Sequence, residues 1–73
     1  VRVSQDSIYS GKRLLDTGIR KEMDLIIIAV KKKDGQMVFN PGPYTLIEDD
    51  DTLIAMGERS SLALLEKKSA GIA

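Results

Sequence analysis

The stretch LIIIAVKK, residues 25–32, carries three consecutive isoleucines between an aspartate and a lysine cluster. A short β-branched run bounded by charged residues is typical of a β-strand. We therefore predict that residues 25–32 form the central strand of a sheet. Asp34 and Gly35 both tolerate positive φ, so they predict a tight turn, and residues 36–39 are predicted to return as an antiparallel partner strand.

Further short elements are predicted around this hairpin. The segment NPGP, residues 40–43, ends the second strand because proline cannot donate to the hydrogen-bond ladder. Ser10 is predicted to cap a helix over residues 11–17 that turns Leu14 and Leu15 inward, and Gly18 follows where a left-handed residue costs least. The other predicted elements are strands over residues 1–3, 44–47 and 52–56, and a helix from Ser60 or Ser61 to about Lys68 with Leu62, Leu64 and Leu65 on one face. The fold class is thus α+β, a mostly antiparallel sheet of about four strands with two helices packed against it.

The composition limits the size and the chemistry of the chain. With 73 residues it has room for one small domain, and an opening valine instead of methionine predicts a fragment of a larger protein. Residues 69–73 are predicted to fray. Cysteine and histidine are both absent, which excludes disulfides, thiolate or imidazole catalysis and zinc sites built from those ligands, so we expect no enzyme.

The charge balance and the hydropathy limit the partners. Eleven basic residues balance eleven acidic ones, so the domain lacks the positive field with which nucleic-acid binders work, and we expect no nucleic-acid partner. The longest apolar run is residues 25–30, whereas a membrane span takes roughly 20 residues, so we expect no membrane insertion.

Two charged clusters are interpreted as solvent-facing. The acidic run 48–51 offers carboxylates to a divalent cation, but the ligand spacing of an EF-hand loop is missing. We interpret it as a hydrated turn and expect no metal site. Lys31, Lys32 and Lys33 could contact phosphate. Neighbours on a strand point to opposite faces, however, and we interpret the three lysines as a hydrated hairpin end.

The segment Asn40-Pro41-Gly42-Pro43 has two interpretations. Proline and glycine suffice to build a rigid turn with no further role. Alternatively, the segment is a stiff, ligand-facing rim on which the Asn40 amide both donates and accepts hydrogen bonds.

The order of these features resembles the TrkA-C domain, the C-terminal subdomain of RCK domains. The resemblance covers about residues 1–66 and is carried by Ser10-Gly11-Lys12 with Leu14 and Leu15, by residues 25–30, by Asn40-Pro41, and by Asp51-Thr52-Leu53-Ile54-Ala55-Met56-Gly57. The family commonly has glycine before the aspartate of the last strand, where this chain has Asp50. Aspartate tolerates a left-handed conformation better than most residues, so we expect the turn to survive.

The resemblance implies a function that the residues alone do not give. Family members are cytoplasmic regulatory domains of potassium channels or potassium uptake and efflux transporters, tethered to the inner membrane through the parent protein or a partner subunit. They usually follow a nucleotide-binding subdomain and form homodimers, and some bind cyclic di-AMP at the dimer interface. The resemblance therefore implies cyclic di-AMP or another small nucleotide as the ligand. Ile26, Ile27, Ile28, Asn40 and Pro41 match the region that lines that interface. The alternative is a purely structural dimerisation module in an anion permease or antiporter.

Overall fold

The computed structural model describes residues 1–71. The strands are β1 (Lys12–Arg13), β2 (Ile26–Lys31), β3 (Met37–Phe39), β4 (Leu46–Ile47) and β5 (Thr52–Met56), and the helices are α1 (Leu14–Thr17), α2 (Ile19–Glu22) and α3 (Arg59–Ser69). Within residues 1–71, none of these helices has the length and apolar character needed to cross a membrane.

The main sheet has the order β3-β2-β5 with antiparallel pairing throughout, so the prediction of a central strand at the isoleucine run is confirmed. Gly35 turns the hairpin with a φ of 90°. The chain start continues the sheet beyond β5, because Val1 and Leu53 exchange both backbone hydrogen bonds, at 2.6 and 2.7 Å. With this edge segment the sheet has the predicted number of about four extended pieces.

The first helix is shorter than predicted. Residues 12–13 instead pair with β4 in a two-stranded sheet, and the Gly11 N–H donates to the Ile47 carbonyl at 2.8 Å. Gly11 has a φ of 82°, which turns the chain away from a helical path. Ser10 therefore does not cap a helix, and its hydroxyl donates to the Asp49 carboxylate.

The single turn of α1 explains a second correction. Leu14 is buried, but Leu15 is 56% exposed instead of facing inward. Successive residues on an α-helix point about 100° apart, so one short turn cannot direct both side chains into the core. Gly18 ends α1 with a φ of 75°, as predicted.

The core lies on the inner face of the main sheet. Ile27, Val30 and Leu53 project from the sheet into one buried cluster with Leu14 and Ile19 from the short helices. Val3, Tyr9, Leu25, Ile47 and Leu65 complete this cluster.

The last helix departs from the prediction at both ends. It begins at Arg59, so Ser60 and Ser61 lie inside the helix and neither caps it. It reaches Ser69, which is buried and whose carbonyl accepts a hydrogen bond from the Ser4 N–H at 2.8 Å. This long-range bond holds Ser69, the residue at which fraying was predicted to begin. Residues 72–73 lie outside the described part of the chain.

Candidate functional site

The main sheet carries a second apolar surface on the side away from the core. This outer face consists of Ile26, Ile28, Phe39, Ile54 and Met56. Their side chains are between 37% and 72% exposed. Scattered apolar residues on a surface are ordinary, but a contiguous group on one sheet face marks an interaction site.

A β-bulge in β2 shapes this surface. Ile27 pairs with Ala55 and Ala29 pairs with Ile54, so Ile28 and Ala29 share the space opposite a single residue of β5. A bulge of this kind places two successive residues on one side and increases the local twist. Ile28 consequently projects on the outer face beside Ala29, whereas strict alternation would have separated them.

The predicted site residues divide between the two faces of the sheet. Ile26 and Ile28 lie on the outer face, but Ile27 is 2% exposed and belongs to the core. Neighbouring strand residues point in opposite directions, so the three isoleucines cannot line one interface. The structure therefore leaves Ile26 and Ile28 available to a partner and assigns Ile27 to packing.

Asn40 lies beside the outer face. Its backbone has a φ of 47°, and its N–H donates to the Ile28 carbonyl at 2.8 Å. Asn40 is exposed, whereas Pro41 is buried and its carbonyl accepts a hydrogen bond from the Arg20 guanidinium at 2.7 Å. Asn40 can thus present its amide next to Ile28, while Pro41 holds the loop in place from beneath.

Lys31 also lies on the outer face and was missed by treating the three lysines alike. It pairs with Met37 and Thr52, two positions along from Ala29 on the same side of the sheet, and its side chain is exposed. The outer face therefore ends in a positive charge. Alternation counted along the sequence from Ile26 and Ile28 would have placed Lys32 on this face, because the bulge that brings Lys31 there leaves no signal in the sequence.

Lys32 points to a different environment from that of Lys31, and it corrects the interpretation of the acidic run. Its Nζ lies 2.5 Å from Asp51 Oδ2 and 2.9 Å from Glu48 Oε1. Asp51 is 1% exposed and its Oδ2 also accepts a hydrogen bond from the Glu48 N–H at 2.8 Å. The hydrated-turn interpretation is therefore wrong for Asp51, and the hydrated-hairpin interpretation is wrong for Lys32.

Burial of Lys32 disfavours its charged form, but the hydrogen bonds and charges of Asp51 and Glu48 outweigh burial and raise the pKa of Lys32 above its ordinary value. The ammonium thus remains the cation of this cluster at neutral pH. Within residues 1–71 no group of acidic side chains is arranged to hold a metal ion.

The turn at Asp50 confirms the expectation based on its departure from the family pattern. Asp50 adopts a φ of 67°, the left-handed conformation that glycine would take most easily. The Asp51 N–H donates to the Glu48 carbonyl at 3.2 Å across this turn. Asp50 also contacts two cations, with Arg2 at 2.9 Å and Lys33 at 3.7 Å.

The model of the TrkA-C domain family matches residues 1–70. The chain belongs to this family. Among the relatives of this TrkA-C domain is the K(+)/H(+) antiporter subunit KhtT of Bacillus subtilis, which is 36% identical over 64 residues. That match covers 88% of the chain but only 39% of KhtT, so the chain spans well under half of this relative.

Solved structures of other proteins share the fold. The RCK_C domain dimer of Streptococcus agalactiae BusR in complex with c-di-AMP superposes with a TM-score of 0.84 at 25% identity, covering 94% of this TrkA-C domain and 84% of that chain. A longer BusR chain, of which 33% is covered, is described in complex with promoter DNA. The RCK C domain of the potassium transport protein KtrA in complex with c-di-AMP gives a TM-score of 0.78 at 28% identity, covering 92% and 78% of the two chains. These likenesses confirm the α+β fold class.

Proposed function

We propose that this TrkA-C domain senses a ligand and dimerises to regulate a potassium channel or a potassium uptake or efflux transporter, without a catalytic step of its own. The outer face is the observation that carries the proposal. Its apolar side chains are exposed together on one face. A domain this small commonly gains stability by burying such side chains against a partner. A regulatory domain needs such a surface, because it acts by changing what it contacts.

The proposed partner is a second copy of the chain. Pairing two outer faces about a twofold axis would cover Ile28 and Ile54 of both copies with one self-complementary contact. The relative described as an RCK_C domain dimer supports this arrangement, since this chain covers 84% of it. Rim cations such as Lys31 would lie on both sides of the axis.

The proposed ligand is cyclic di-AMP, held at the junction of the two copies. Ile26, Ile28 and Phe39 offer apolar surface to the purine rings, and the Asn40 amide offers a donor and an acceptor to their edges. Lys31 offers its charge to a phosphate. Ile27 contributes only through the core, and Pro41 only through the backbone of the loop. Two similar structures, the BusR RCK_C domain dimer and the KtrA RCK C domain, are complexes with this ligand.

Regulation requires that the ligand distinguish two arrangements of the dimer. A ligand shifts an equilibrium only by the difference in its affinity for the two states, and typical coupling free energies are about 1 to 3 kcal/mol. A site shared between two copies meets this requirement because its shape changes when the copies move. The parent's nucleotide-binding subdomain and membrane pore are the proposed recipients of the change.

The proposed setting is the cytoplasmic side of the inner membrane, where the domain is tethered through its parent protein or a partner subunit. The zero net charge argues against a nucleic-acid partner for this domain itself. A fluorescence anisotropy titration with duplex DNA at low salt tests that point, and saturable binding would contradict it.

The deciding experiment is calorimetry of the 73-residue chain against cyclic di-AMP, alongside sedimentation velocity. We expect one ligand per dimer and weaker binding for Asn40→Ala. The matched control is Gln36→Ala, which removes an exposed amide side chain from the hairpin. A stable dimer that gives no heat would favour the structural module of an anion permease or antiporter. A monomer near 8.0 kDa at high concentration would contradict both.

A further inference from the structure

The loop over residues 40–45 is held against the two short helices by three hydrogen bonds. The Leu15 N–H donates to the Pro43 carbonyl, and the Leu14 N–H donates to the Thr45 carbonyl, both at 2.8 Å. The third bond comes from a side chain, since Arg20 Nη2 donates to the Pro41 carbonyl at 2.7 Å. Among residues 1–71, Arg20 alone contributes a side-chain hydrogen bond to this loop.

Packing beneath the loop is incomplete. A cavity of about 110 Å³ lies between the loop and the short helices, and its lining includes Leu14, Leu15, Gly18 and Pro43 together with Arg20. Pro43 therefore lacks part of the close packing of a protein interior, whereas Pro41 is buried. The hydrogen bonds share the positioning of the loop with the burial of Pro41.

The position that needs support is Asn40. A left-handed conformation, here a φ of 47°, costs energy in any residue but glycine and persists where neighbouring contacts over-determine it. Arg20 holds the residue directly after Asn40. None of the ion pairs within residues 1–71 involves Arg20, so no carboxylate competes for its donors.

We infer that Arg20 is a positioning residue for ligand capture, acting from α2 through the Pro41 carbonyl to hold Asn40 beside Ile28. The inference rests on the proposed function, because it concerns how the proposed site is kept ready. Losing the Arg20 bond lowers the fraction of molecules with the loop in place. The apparent Kd rises in inverse proportion to that fraction.

The test compares Arg20→Met and Arg20→Lys with Arg59→Met. Arg59 is exposed at the start of α3, so its substitution removes the same charge at a site remote in the chain from the loop. By calorimetry with cyclic di-AMP, we expect Arg20→Met to raise the Kd about tenfold and Arg59→Met to leave it within about twofold. Arg20→Lys keeps a charged donor, so we expect it to recover part of the loss and to remain folded if Arg20→Met does not.

A second measurement separates positioning from general stability. Without ligand, amide hydrogen exchange at the Asn40 N–H should be faster in Arg20→Met than in wild type and unchanged in Arg59→Met, while amides of the core strand β2 stay protected in all three. Saturating cyclic di-AMP should restore slow exchange at Asn40. Wild-type exchange in Arg20→Met, or wild-type affinity in that variant, would overturn the inference.

The two proposals fail in different ways. If the wild-type chain does not bind cyclic di-AMP, the proposed function fails. The exchange measurement still decides on Arg20, because faster exchange at Asn40 supports its positioning role and unchanged exchange overturns it.

Discussion

The Nζ of Lys32 lies 2.5 Å from the Oδ2 of Asp51, a residue that is only 1% exposed. The pair joins the chain just after β2 to the chain just before β5, so it fixes the two strands at the same end of the sheet. The other carboxylate oxygen, Oδ1, has no hydrogen-bond partner within the described residues. The lysine ammonium is therefore the main compensation for a carboxylate taken out of water.

The first prediction is that Lys32→Met destabilises the domain by about 2 to 3 kcal/mol, because it leaves the Asp51 charge buried without its partner. Urea unfolding at pH 7 measures this loss. Lys33→Met is the control, since that side chain is 78% exposed and we expect a change within about 0.5 kcal/mol. Equal unfolding midpoints for the two variants would contradict the structural role of Lys32.

The second prediction is a loss of stability in alkali. Burial is the largest single effect on the pKa of Lys32 and lowers it, but the hydrogen bonds and charges of Asp51 and Glu48 together raise it by more. The pKa of Lys32 in the folded chain therefore lies above its ordinary value of 10.5. Burial, and then the charge of Glu22, raise the pKa of Tyr9 above 10.0. For both groups the folded state holds its proton more tightly, so their stabilisation is complete below the unfolded pKa and is lost as the pH rises through the folded pKa.

Urea titrations between pH 8 and pH 12 check this loss, which we expect to begin near pH 10. Lys32→Met and Tyr9→Phe each remove one of the two groups and should each flatten the decline. A free energy of unfolding that stays constant through this range in wild type would contradict both pKa directions.

The strands of the main sheet could be predicted from the sequence because their signals are local. The run at residues 25–32 contains its own β-branched residues, and the turn at Gly35 follows within three residues of its end. The strand over Thr52–Met56 was predicted with its observed bounds for the same reason. These elements need no knowledge of distant partners.

The errors arise where a distant residue decides the local structure. Gly11 bonds to Ile47, and this pairing converts the start of a predicted helix into a strand. Asp51 became a buried partner only because Lys32 reaches it from the chain just after β2. Alternation alone places Ile26 and Ile28 on the face opposite to Ile27, but the bulge moves Ala29 and Lys31 to the outer face, and nothing in the periodicity of the run records it. The position of Lys31 on the outer face thus depended on register, which composition does not reveal.

The third prediction concerns the left-handed turn. Asp50→Ala should destabilise the domain by about 1 to 2 kcal/mol, because the Cβ of alanine is strained in the left-handed conformation observed there and alanine has no polar side chain to relieve that strain. Asp50→Gly should be close to wild type, since glycine removes that strain while losing the contacts to Arg2 and Lys33. Thermal melting of both variants tests the turn. Equal melting temperatures for Asp50→Ala and Asp50→Gly would contradict the left-handed conformation observed at this position.

The fourth prediction compares the same substitution, isoleucine to aspartate, at two neighbouring residues that point to opposite faces of β2. Ile27→Asp should abolish folding, because it buries an unpaired charge at a site 2% exposed and such a charge costs several kcal/mol in a domain of modest stability. Ile28→Asp should fold, since Ile28 lies on the outer face and is 41% exposed. In a dimer, however, it would place like charges across the twofold contact and drive the copies apart.

Circular dichroism melting and sedimentation velocity together distinguish these outcomes. Ile8→Asp is the matched control, because Ile8 is an isoleucine 53% exposed outside the outer face, and its variant should both fold and dimerise. A normal melt for Ile27→Asp would contradict the placement of that residue in the core. If Ile28→Asp dimerises as firmly as Ile8→Asp, the copies meet through a surface other than the outer face. The proposed ligand site at the junction of two outer faces would then not form.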